Sequence, residues 1–321
     1  MREICVISDG DWSDPKIWSE NRLPGRGDAA VNTGHIVNID IDLVGKYAPS
    51  FLIAADDETR KAGQFVIEGS RQIGETRNGV WIYTRLMSPW PTPCISFRGS
   101  ERDFLLIFGE ISQGLSDSYS LVIIRNESRG KITYFGDITT GSAHSIYNVS
   151  GIVNVIGSVW GGRDSKACGI YNESGLVFIK GAVTGGIADK ANAVFNIDGK
   201  VSVVGSVTGG KGFDACGIRS LEGDVFACGR VMGGSGDYAC GIYHDGRDPK
   251  SIVQVIGCSV GGLGTRAHGV YVNDLCRVKI VGFTENSSDA FGVYASNLSN
   301  VTVVGGYFPG IPCILSPTRH S

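Results

Sequence analysis

The chain has 321 residues, of which 47 are glycine, about twice the ordinary share, and 42% are apolar, enough to bury a core. Its 29 basic and 32 acidic side chains give a net charge of −3 with no basic block, so we expect neither nucleic acid nor anionic lipid as a partner. No apolar run is long enough for a signal peptide or a membrane span, which predicts no membrane insertion and synthesis in a cytoplasm.

The cysteines and histidines follow no ligand pattern. The nine cysteines are odd in number and include no Cys-x-x-Cys pair, which argues against a disulfide framework and against a zinc site. We therefore expect reduced, buried cysteines. The five histidines are scattered along the chain, and we predict no metal site and no cofactor.

Residues 1–42 are predicted to form an N-terminal cap, because a stack of strands needs its open edge covered. The segment contains Trp12 and Trp18, a turn-rich stretch at 23–28 and a predicted hairpin around Gly34. An alternating strand at 36–41 is expected to start the first coil.

The same segment resembles the opening of known β-helical proteins. Its string DWSDPKIWSENRLPGRGDAAVNTGHIVNID is similar to the pattern W…W…P..GD.V.I..G..V.ID of G8-like segments, which open many right-handed β-helices of phages and bacteria. The likeness covers about 30 residues, with Ala29-Ala30-Val31 in place of a more apolar triplet. It implies the fold more than the function.

Residues 43–93 are predicted to hold irregular first coils and a proline-rich connector at 88–93, and residues 94–307 to form a regular repeat. A frame such as Ala-Cys-Gly-Ile-Tyr returns every 24 residues four times, and then after 28 and 23 residues. The frame begins at Ala143, Ala167, Ala191, Ala215, Ala239, Ala267 and Ala290. Residues 308–321 are predicted to form a C-terminal tail.

Each repeat holds three short apolar elements: a first strand with the Ile-Tyr-Asn pattern, a second with a Val-x-Val-x-Gly pattern, and a short third ending in Gly-Gly. These elements are rich in Val and Ile and show no helical period, which predicts strands. Three short strands cannot bury their apolar side alone, so successive units must stack, each strand pairing in parallel with its copy. We predict an all-β fold, a right-handed single-stranded parallel β-helix with coils of about 24 residues and three short strands.

Alternation along a strand predicts which side chains face the interior. In the second strand, Val153 and Val155 and their copies face inward, and Asn154 faces outward. In the first strand, the column that begins with Ile146 faces inward. The same alternation predicts an inward column of cysteines and outward positions for the neighbouring Ala, Gly and Tyr; the cysteines are Cys168, Cys216 and Cys240.

Two further columns follow from the first strand. An asparagine ends it in three successive coils, which predicts a structural ladder of stacked amides at Asn148, Asn172 and Asn196. An aromatic residue recurs at the outward position before it, a candidate ligand or interface surface formed by Tyr147, Tyr171, Phe195, Tyr243, Tyr271 and Tyr294. This aromatic column could contact a glycan, contact a partner subunit, or serve ladder packing alone.

An acidic residue recurs in the third turn of the coil, at Asp164, Asp189, Asp214, Asp237 and Asp289. Carboxylates one coil apart would lie near 5 Å, close to the separation in retaining glycosidases. Their offset within the coil drifts, however, and a regular turn position is usually a solvated one. Asp189, Asp214 and Asp237 are therefore the catalytic candidates only if the protein is an enzyme.

The glycine-rich coils, the cap and the absence of an export signal together resemble the β-helical tailspike and tail-fibre proteins of bacteriophages, which bind host receptors. This resemblance implies a structural and host-recognition component of the virion tail, assembled in the host cytoplasm. It implies a rigid homotrimer that contacts other tail proteins and bacterial surface polysaccharide.

No nucleophile-elbow, P-loop, kinase or zinc-protease motif occurs, which favours binding over catalysis. The alternative is a polysaccharide depolymerase, a glycoside hydrolase or lyase, with an acidic pair in a lateral groove. A bacterial surface adhesin is a third interpretation, disfavoured because no export signal is visible.

Overall fold

The computed structural model describes residues 1–55, 63–73, 81–84, 95–98, 100–108, 111–113, 124–126, 129–139, 144–246, 248–273, 276–285, 290–295, 300–305 and 314–315. Half of the chain is strand and 3% is helix, so strands build the core. Within these ranges, no helix has the length and apolarity that a membrane crossing needs. The chain divides into two compact units, Met1–Ser158 and Val159–Ser321.

The first unit contains sixteen described strands and two short 3-10 helices, Pro15–Ile17 and Gly45–Tyr47. The strands are β1 (Arg2–Cys5), β2 (Gly10–Asp11), β3 (Asp28–Thr33), β4 (Ile36–Ile39), β5 (Phe51–Ala55), β6 (Gln64–Glu68), β7 (Arg71–Ile73), β8 (Trp81–Thr84), β9 (Ile95–Arg98), β10 (Phe104–Phe108), β11 (Ile111–Gln113), β12 (Ile124–Asn126), β13 (Lys131–Phe135), β14 (Ile138–Thr139), β15 (Ile146–Asn148) and β16 (Ile152–Ile156).

The second unit contains sixteen more strands among its described residues. They are β17 (Val159–Trp160), β18 (Ile170–Asn172), β19 (Leu176–Lys180), β20 (Val183–Thr184), β21 (Val194–Asn196), β22 (Lys200–Val204), β23 (Val207–Thr208), β24 (Ile218–Ser220), β25 (Asp224–Met232), β26 (Ile242–Asp245), β27 (Ile252–Val260), β28 (Val270–Asn273), β29 (Arg277–Glu285), β30 (Val293–Ala295), β31 (Asn300–Val304) and β32 (Ile314–Leu315).

In both units each strand pairs in parallel with its copy in the next coil. In the second unit the first strands form one ladder, β18–β21–β24–β26–β28–β30–β32. The second strands form another, β19–β22–β25–β27–β29–β31. The short third strands pair as β17–β20–β23 and then merge into β25. The predicted parallel β-helix, with coils of about 24 residues, is confirmed.

The parallel pairing begins earlier than the regular repeat suggests. In the first unit β1 pairs with β3 and β3 with β5, while β2 pairs with β4 and β4 with β6. Residues 1–42 therefore contribute strands to the coils that follow. The hairpin predicted around Gly34 is wrong, because β3 and β4 lie in different sheets and each pairs in parallel.

An apolar cluster and a polar cluster stabilise the opening segment, residues 1–42. The Trp12 and Trp18 rings are fully buried with centroids 4.7 Å apart, and Phe65 lies 6.1 Å from Trp12. The Asp28 carboxylate accepts hydrogen bonds from Arg22 at 2.7 Å and from the backbone N–H of Gly25 at 2.9 Å. The hydrogen bond from Arg22 holds the pKa of Asp28 below its usual value. These motif residues stabilise a turn.

The predicted interior is confirmed where the residues lie within strands. Val153, Val155, Ile146 and Val203 have no more than 2% of their surface exposed, and Asn154 lies outward and half-buried. The branched side chains alternate with outward residues along each strand, as the pleat requires. They fill the solenoid from all three strands of the coil.

The amide ladder is also confirmed. Asn172 Nδ2 donates to Asn196 Oδ1 at 2.8 Å and to the carbonyl of Gly175 at 2.9 Å. Asn196 Nδ2 donates to the carbonyl of Gly199 at 2.9 Å, and Asn148 makes the equivalent bond to Gly151 at 3.2 Å. All three asparagines are fully buried. They close the turn that follows the first strand.

Most of the described cysteines are free and buried, as predicted. Seven of the nine cysteines lie in described residues, all are free, and five are buried. Cys5 is exposed and Cys228 is half-buried, so for them the expected burial is wrong. Cys94 and Cys313 lie outside the described residues.

Candidate functional site

The aromatic column on the first strands forms a stacked ladder. In the second unit, Tyr243 and Tyr271 have ring centroids 4.8 Å apart and planes 7° apart, and Tyr271 and Tyr294 follow at 5.1 Å and 9°. Tyr171 and Phe195 lie 5.1 Å apart with a tilt of 38°. The spacing is that of parallel strands, so successive rings cover one another's faces. These five residues are half-buried.

One position of this column is not aromatic. Arg219 stands between Phe195 and Tyr243 in the strand register, and its guanidinium carbon lies 4.5 Å from the Tyr243 ring centroid. Burial and the neighbouring Asp245 raise the pKa of Tyr243, which keeps its hydroxyl protonated and able to donate.

A second column faces this ladder from the turn that follows each Gly-Gly pair. Its residues adopt the left-handed backbone region although none is glycine: Lys166, Lys190, Asp214, Tyr238 and Arg266, with φ between 52° and 68°. Left-handed backbone costs an ordinary residue about 1–2 kcal/mol. We call these five residues the left-handed column.

The cysteine column lies beside the left-handed column. Cys168 Sγ donates to the carbonyl of Lys166 at 3.3 Å, and Asn192 Nδ2 donates to that of Lys190 at 3.1 Å. Burial raises the pKa of the Cys168 thiol to about 12, so it is not a reactive thiolate. These side chains satisfy the backbone of the strained turn.

The predicted inward orientation of this column is therefore wrong. All three cysteines are buried, but Cys168 and Cys240 line cavities beside the aromatic ladder, and Cys216 Sγ donates to the carbonyl of Tyr238 in the left-handed column at 3.7 Å. The outward position expected for the adjacent Ala and Gly is also wrong: Ala167 is buried, and a Cβ on Gly169 would lie 2.9 Å from Val183 Cγ1. Alternation fails here because the strand begins only at Ile170.

Two cavities lie between the left-handed column and the aromatic ladder, and Arg219 lines both. The larger, about 550 Å³, is lined by Phe213, Asp214, Arg219, Tyr238, Cys240, Tyr243, Arg266, His268, Tyr271, Phe291 and Tyr294. The smaller, about 290 Å³, is lined by Lys166, Cys168, Tyr171, Lys190, Asn192, Phe195, Arg219 and Leu221. We call the two together the lateral cleft. The larger falls in the usual size range of small-ligand sites, roughly 300–1,000 Å³.

The most accessible rings of the larger cavity are not in the predicted column. Phe213 and Tyr238 expose 46% and 39% of their surface, and they tilt against each other at 5.3 Å. Arg266 donates to the Tyr238 hydroxyl at 2.7 Å. The cavity is thus lined by two exposed rings and by the ladder tyrosines Tyr243, Tyr271 and Tyr294.

An ion pair lies at the base of the cleft. Arg219 donates to Asp214, with 23% and 13% of the two side chains exposed. Burial alone would lower the pKa of Arg219, but the charge of Asp214 and the hydrogen bond to it raise it above its ordinary value. The pair leaves little net charge at this point.

The three candidate catalytic aspartates occupy unlike positions. Asp189 Oδ1 accepts the backbone N–H of Phe213 at 2.8 Å, and Asp237 Oδ1 accepts that of Thr265 at 2.8 Å. Both are exposed and tie one turn to the next. Asp214 lines the larger cavity but pairs with Arg219. The candidate Asp289 lies outside the described residues.

His268 completes the base of the larger cavity. Burial lowers its pKa, and Nδ1 accepts the backbone N–H of Phe291 at 3.0 Å, which requires the unprotonated nitrogen. Its ring stacks on Phe291 with centroids 5.6 Å apart and planes 3° apart. His268 is therefore a neutral, packed residue near pH 7.

The second unit also contains a buried serine–histidine pair. Ser251 Oγ lies 3.1 Å from His244 Nε2, and His244 Nδ1 donates to the carbonyl of Ser220 at 3.2 Å. Both side chains are at most 2% exposed, and neither lines the lateral cleft. The pair has a packing role, since a substrate could not reach the hydroxyl.

The sequence predicted the aromatic column, most of which lines the lateral cleft, but it did not predict the other lining residues. Tyr238 and Arg266 belong to the left-handed column, whereas Phe213, Arg219 and His268 stand at other repeat positions, so no single column contains all five. The available signal was the non-glycine residue two positions before each Cys, Asn or His, where the turn requires a left-handed residue.

Comparison of the chain with protein-family models, with curated proteins and with solved structures finds no match. Among the residues that the structure describes, no group of three or more His, Cys, Asp or Glu is placed to hold a metal ion.

Proposed function

We propose that the protein binds a bacterial surface glycan in the lateral cleft and acts as the receptor-binding part of a phage tail spike or fibre. The observation that carries the proposal is a cavity lined by the accessible rings of Phe213 and Tyr238 together with the ladder tyrosines Tyr243, Tyr271 and Tyr294. The polarised C–H bonds of a sugar pack on aromatic faces, and its hydroxyls need hydrogen-bond partners. The cleft offers both.

Binding without cleavage is the form that we favour. Hydrolysis by the usual mechanism needs two carboxyl groups across the scissile bond. Among the described residues that line the cleft, Asp214 is the single carboxylate, and Arg219 already holds it. A depolymerase remains the alternative, and new reducing ends after incubation with capsule or O-antigen, lost in Asp214→Asn, would establish it.

The test of binding is titration of the protein against capsular and O-antigen polysaccharides of candidate hosts. We expect the double variant Phe213→Ala and Tyr238→Ala to bind at least about tenfold more weakly, because truncated aromatic anchors cost more than about 1 kcal/mol each. Phe178→Ala is the matched control, since Phe178 is 40% exposed on a second strand away from the cleft. Equal weakening by the control would contradict the proposal, as would failure of the unaltered protein to bind any of the polysaccharides.

We further propose that the chain assembles as a homotrimer in the virion tail, next to other tail proteins. The support is a column on the second strands in which four aliphatic residues are 37–52% exposed and aligned by the strand register, with the half-buried Cys228 between the first two: Val204, Ile256, Val281 and Val304. Aligned apolar side chains on a sheet are typical of subunit contacts. The aromatic ladder then stays available to the glycan.

A further inference from the structure

The charge of the lateral cleft is opposite to that of the whole chain. The chain carries a net −3, whereas the residues that line the cleft comprise four cations and one anion, a net +3. The cations are Lys166, Lys190, Arg219 and Arg266. Because Asp214 neutralises Arg219, the unbalanced charge belongs to the two lysines and Arg266.

The two lysines lie at the smaller cavity, one coil apart. Both are exposed, and within the part of the chain that the structure describes neither forms an ion pair. Lys166 N donates to the carbonyl of Asp189 and Lys190 N to that of Phe213, each bonding to the next turn. Their backbones are therefore fixed in register, and the two residues line the smaller cavity from neighbouring turns.

The backbone strain is concentrated in the same place. Six non-glycine residues have positive φ among those described, and five of them line the lateral cleft; the sixth is Asn21. Glycine would adopt this conformation without the steric cost that a side chain brings, so the turn itself requires a lysine neither at 166 nor at 190. Strain of this kind gathers at ligand sites, where the side chain contributes something that the backbone does not require.

We propose that the ligand is an acidic polysaccharide whose carboxylate groups bind Lys166 and Lys190 while neighbouring sugars pack against Phe213 and Tyr238. This inference rests on the proposed glycan binding and specifies the class of glycan. Two ammonium groups on adjacent coils suit a sugar carboxylate, because each offers up to three donors without a fixed orientation. Arg266 extends the positive surface to the far side of the larger cavity.

The experiment titrates the protein with oligogalacturonate and with polysialic acid, each before and after reduction of its carboxyl groups, and with neutral dextran. We expect the carboxylate forms to bind at least about tenfold more tightly than their reduced forms, and the difference to shrink as NaCl rises. The double variant Lys166→Gln and Lys190→Gln should lose this preference, and the Lys→Arg pair should keep it. Lys180→Gln, on a second strand, is the control.

The outcomes separate the two proposals. Equal binding of acidic and reduced forms, with loss in Phe213→Ala, would keep glycan binding and overturn the acidic preference. Binding of none of these polysaccharides or host glycans would overturn both. Equal loss of binding in Lys180→Gln would show a diffuse charge effect and would also overturn the assigned lysine site. Thermal melting of each variant checks that a lost affinity does not reflect unfolding.

Discussion

Two features of single residues reduce the stability of this fold: buried polar side chains and positive φ angles. His244 and His268 are packed inside the second unit, and Asn192 and Cys168 bond to the strained turn. A glycine recurs within or directly after the second strands with φ between 135° and 146°, where a Cβ would lie within 2.3 Å of the carbonyl oxygen of the equivalent glycine in the preceding coil; these are Gly205, Gly229, Gly257, Gly282 and Gly305. Side-chain size and charge at such positions therefore decide stability.

The buried histidines predict a loss of stability in mild acid. Burial lowers the pKa of His244 and His268, and it lowers the pKa of His144 to about 4. Below about pH 6.5, the ordinary histidine pKa, the unfolded chain therefore binds more protons than the folded chain. The stabilisation of the fold by the neutral buried imidazoles is complete above about pH 6.5, and it is lost as the pH falls towards the folded pKa values.

Thermal melting between pH 7.5 and pH 5 should therefore show a falling midpoint, with a smaller fall in His244→Gln. His35→Gln, at a partly exposed imidazole beside Asp9, is the control and should follow the unaltered protein. If the melting midpoint of His244→Gln falls with pH as steeply as that of the unaltered protein, the assignment of this stability to the buried imidazole is refuted.

Gly205→Ala is expected to destabilise the protein by roughly 3 kcal/mol or more. Its φ is 146°, and a Cβ there would lie 1.8 Å from the carbonyl oxygen of Gly181. Urea unfolding gives the free energy of unfolding, and Ser206→Ala at the next, exposed position should change it by no more than about 0.5 kcal/mol. A similar small change in Gly205→Ala would contradict the close approach of the two coils.

At the scale of the element, each coil is a set of strands joined by turns that repeat in register. The branched residues of the second strand and the Ile of the first strand were predictable, since period-two alternation holds wherever the chain is extended. The column at Cys168 was not, because it lies in a turn where alternation has no meaning. The amide ladder was predictable because it ends a strand.

Asn196→Ala should lower the free energy of unfolding by about 1–3 kcal/mol. The change removes the acceptor of Asn172 and the donor to Gly199, and it leaves buried polar groups unpaired. Asn154→Ala is the matched control, because Asn154 lies on the outward side of its strand and should cost no more than about 0.5 kcal/mol. Equal costs for the two variants would argue against the ladder.

At the scale of the whole molecule, the proposed glycan site and the proposed subunit contact lie on different strands of the coil. The first strands carry the aromatic ladder and the lateral cleft, and the second strands carry the exposed aliphatic column. Contact through the second strands would leave the cleft open in an assembly. The proposed homotrimer and the proposed glycan site are therefore compatible.

Light scattering should give a mass near three times the chain mass of 34.0 kDa. We expect the double variant Ile256→Lys and Val281→Lys to reduce this mass to that of one chain, because charged side chains would enter the aliphatic contact. Leu263→Lys is the control, as Leu263 is an 86% exposed apolar residue in a turn. A single-chain mass for the unaltered protein would remove the trimer, and a trimer that survives the double variant would place its contact elsewhere.

The sequence by itself determined the repeat, the three strands of the coil, the parallel pairing and the inward Val and Ile columns. Short repeated strands bury their apolar side chains only when successive copies stack in parallel. Only the tertiary structure decided that the left-handed column lies opposite the aromatic ladder and that Arg219, His268 and Phe213 meet in one cleft. These residues stand at different repeat positions, and their proximity depends on the angle of each turn, which side-chain patterns along a strand do not encode.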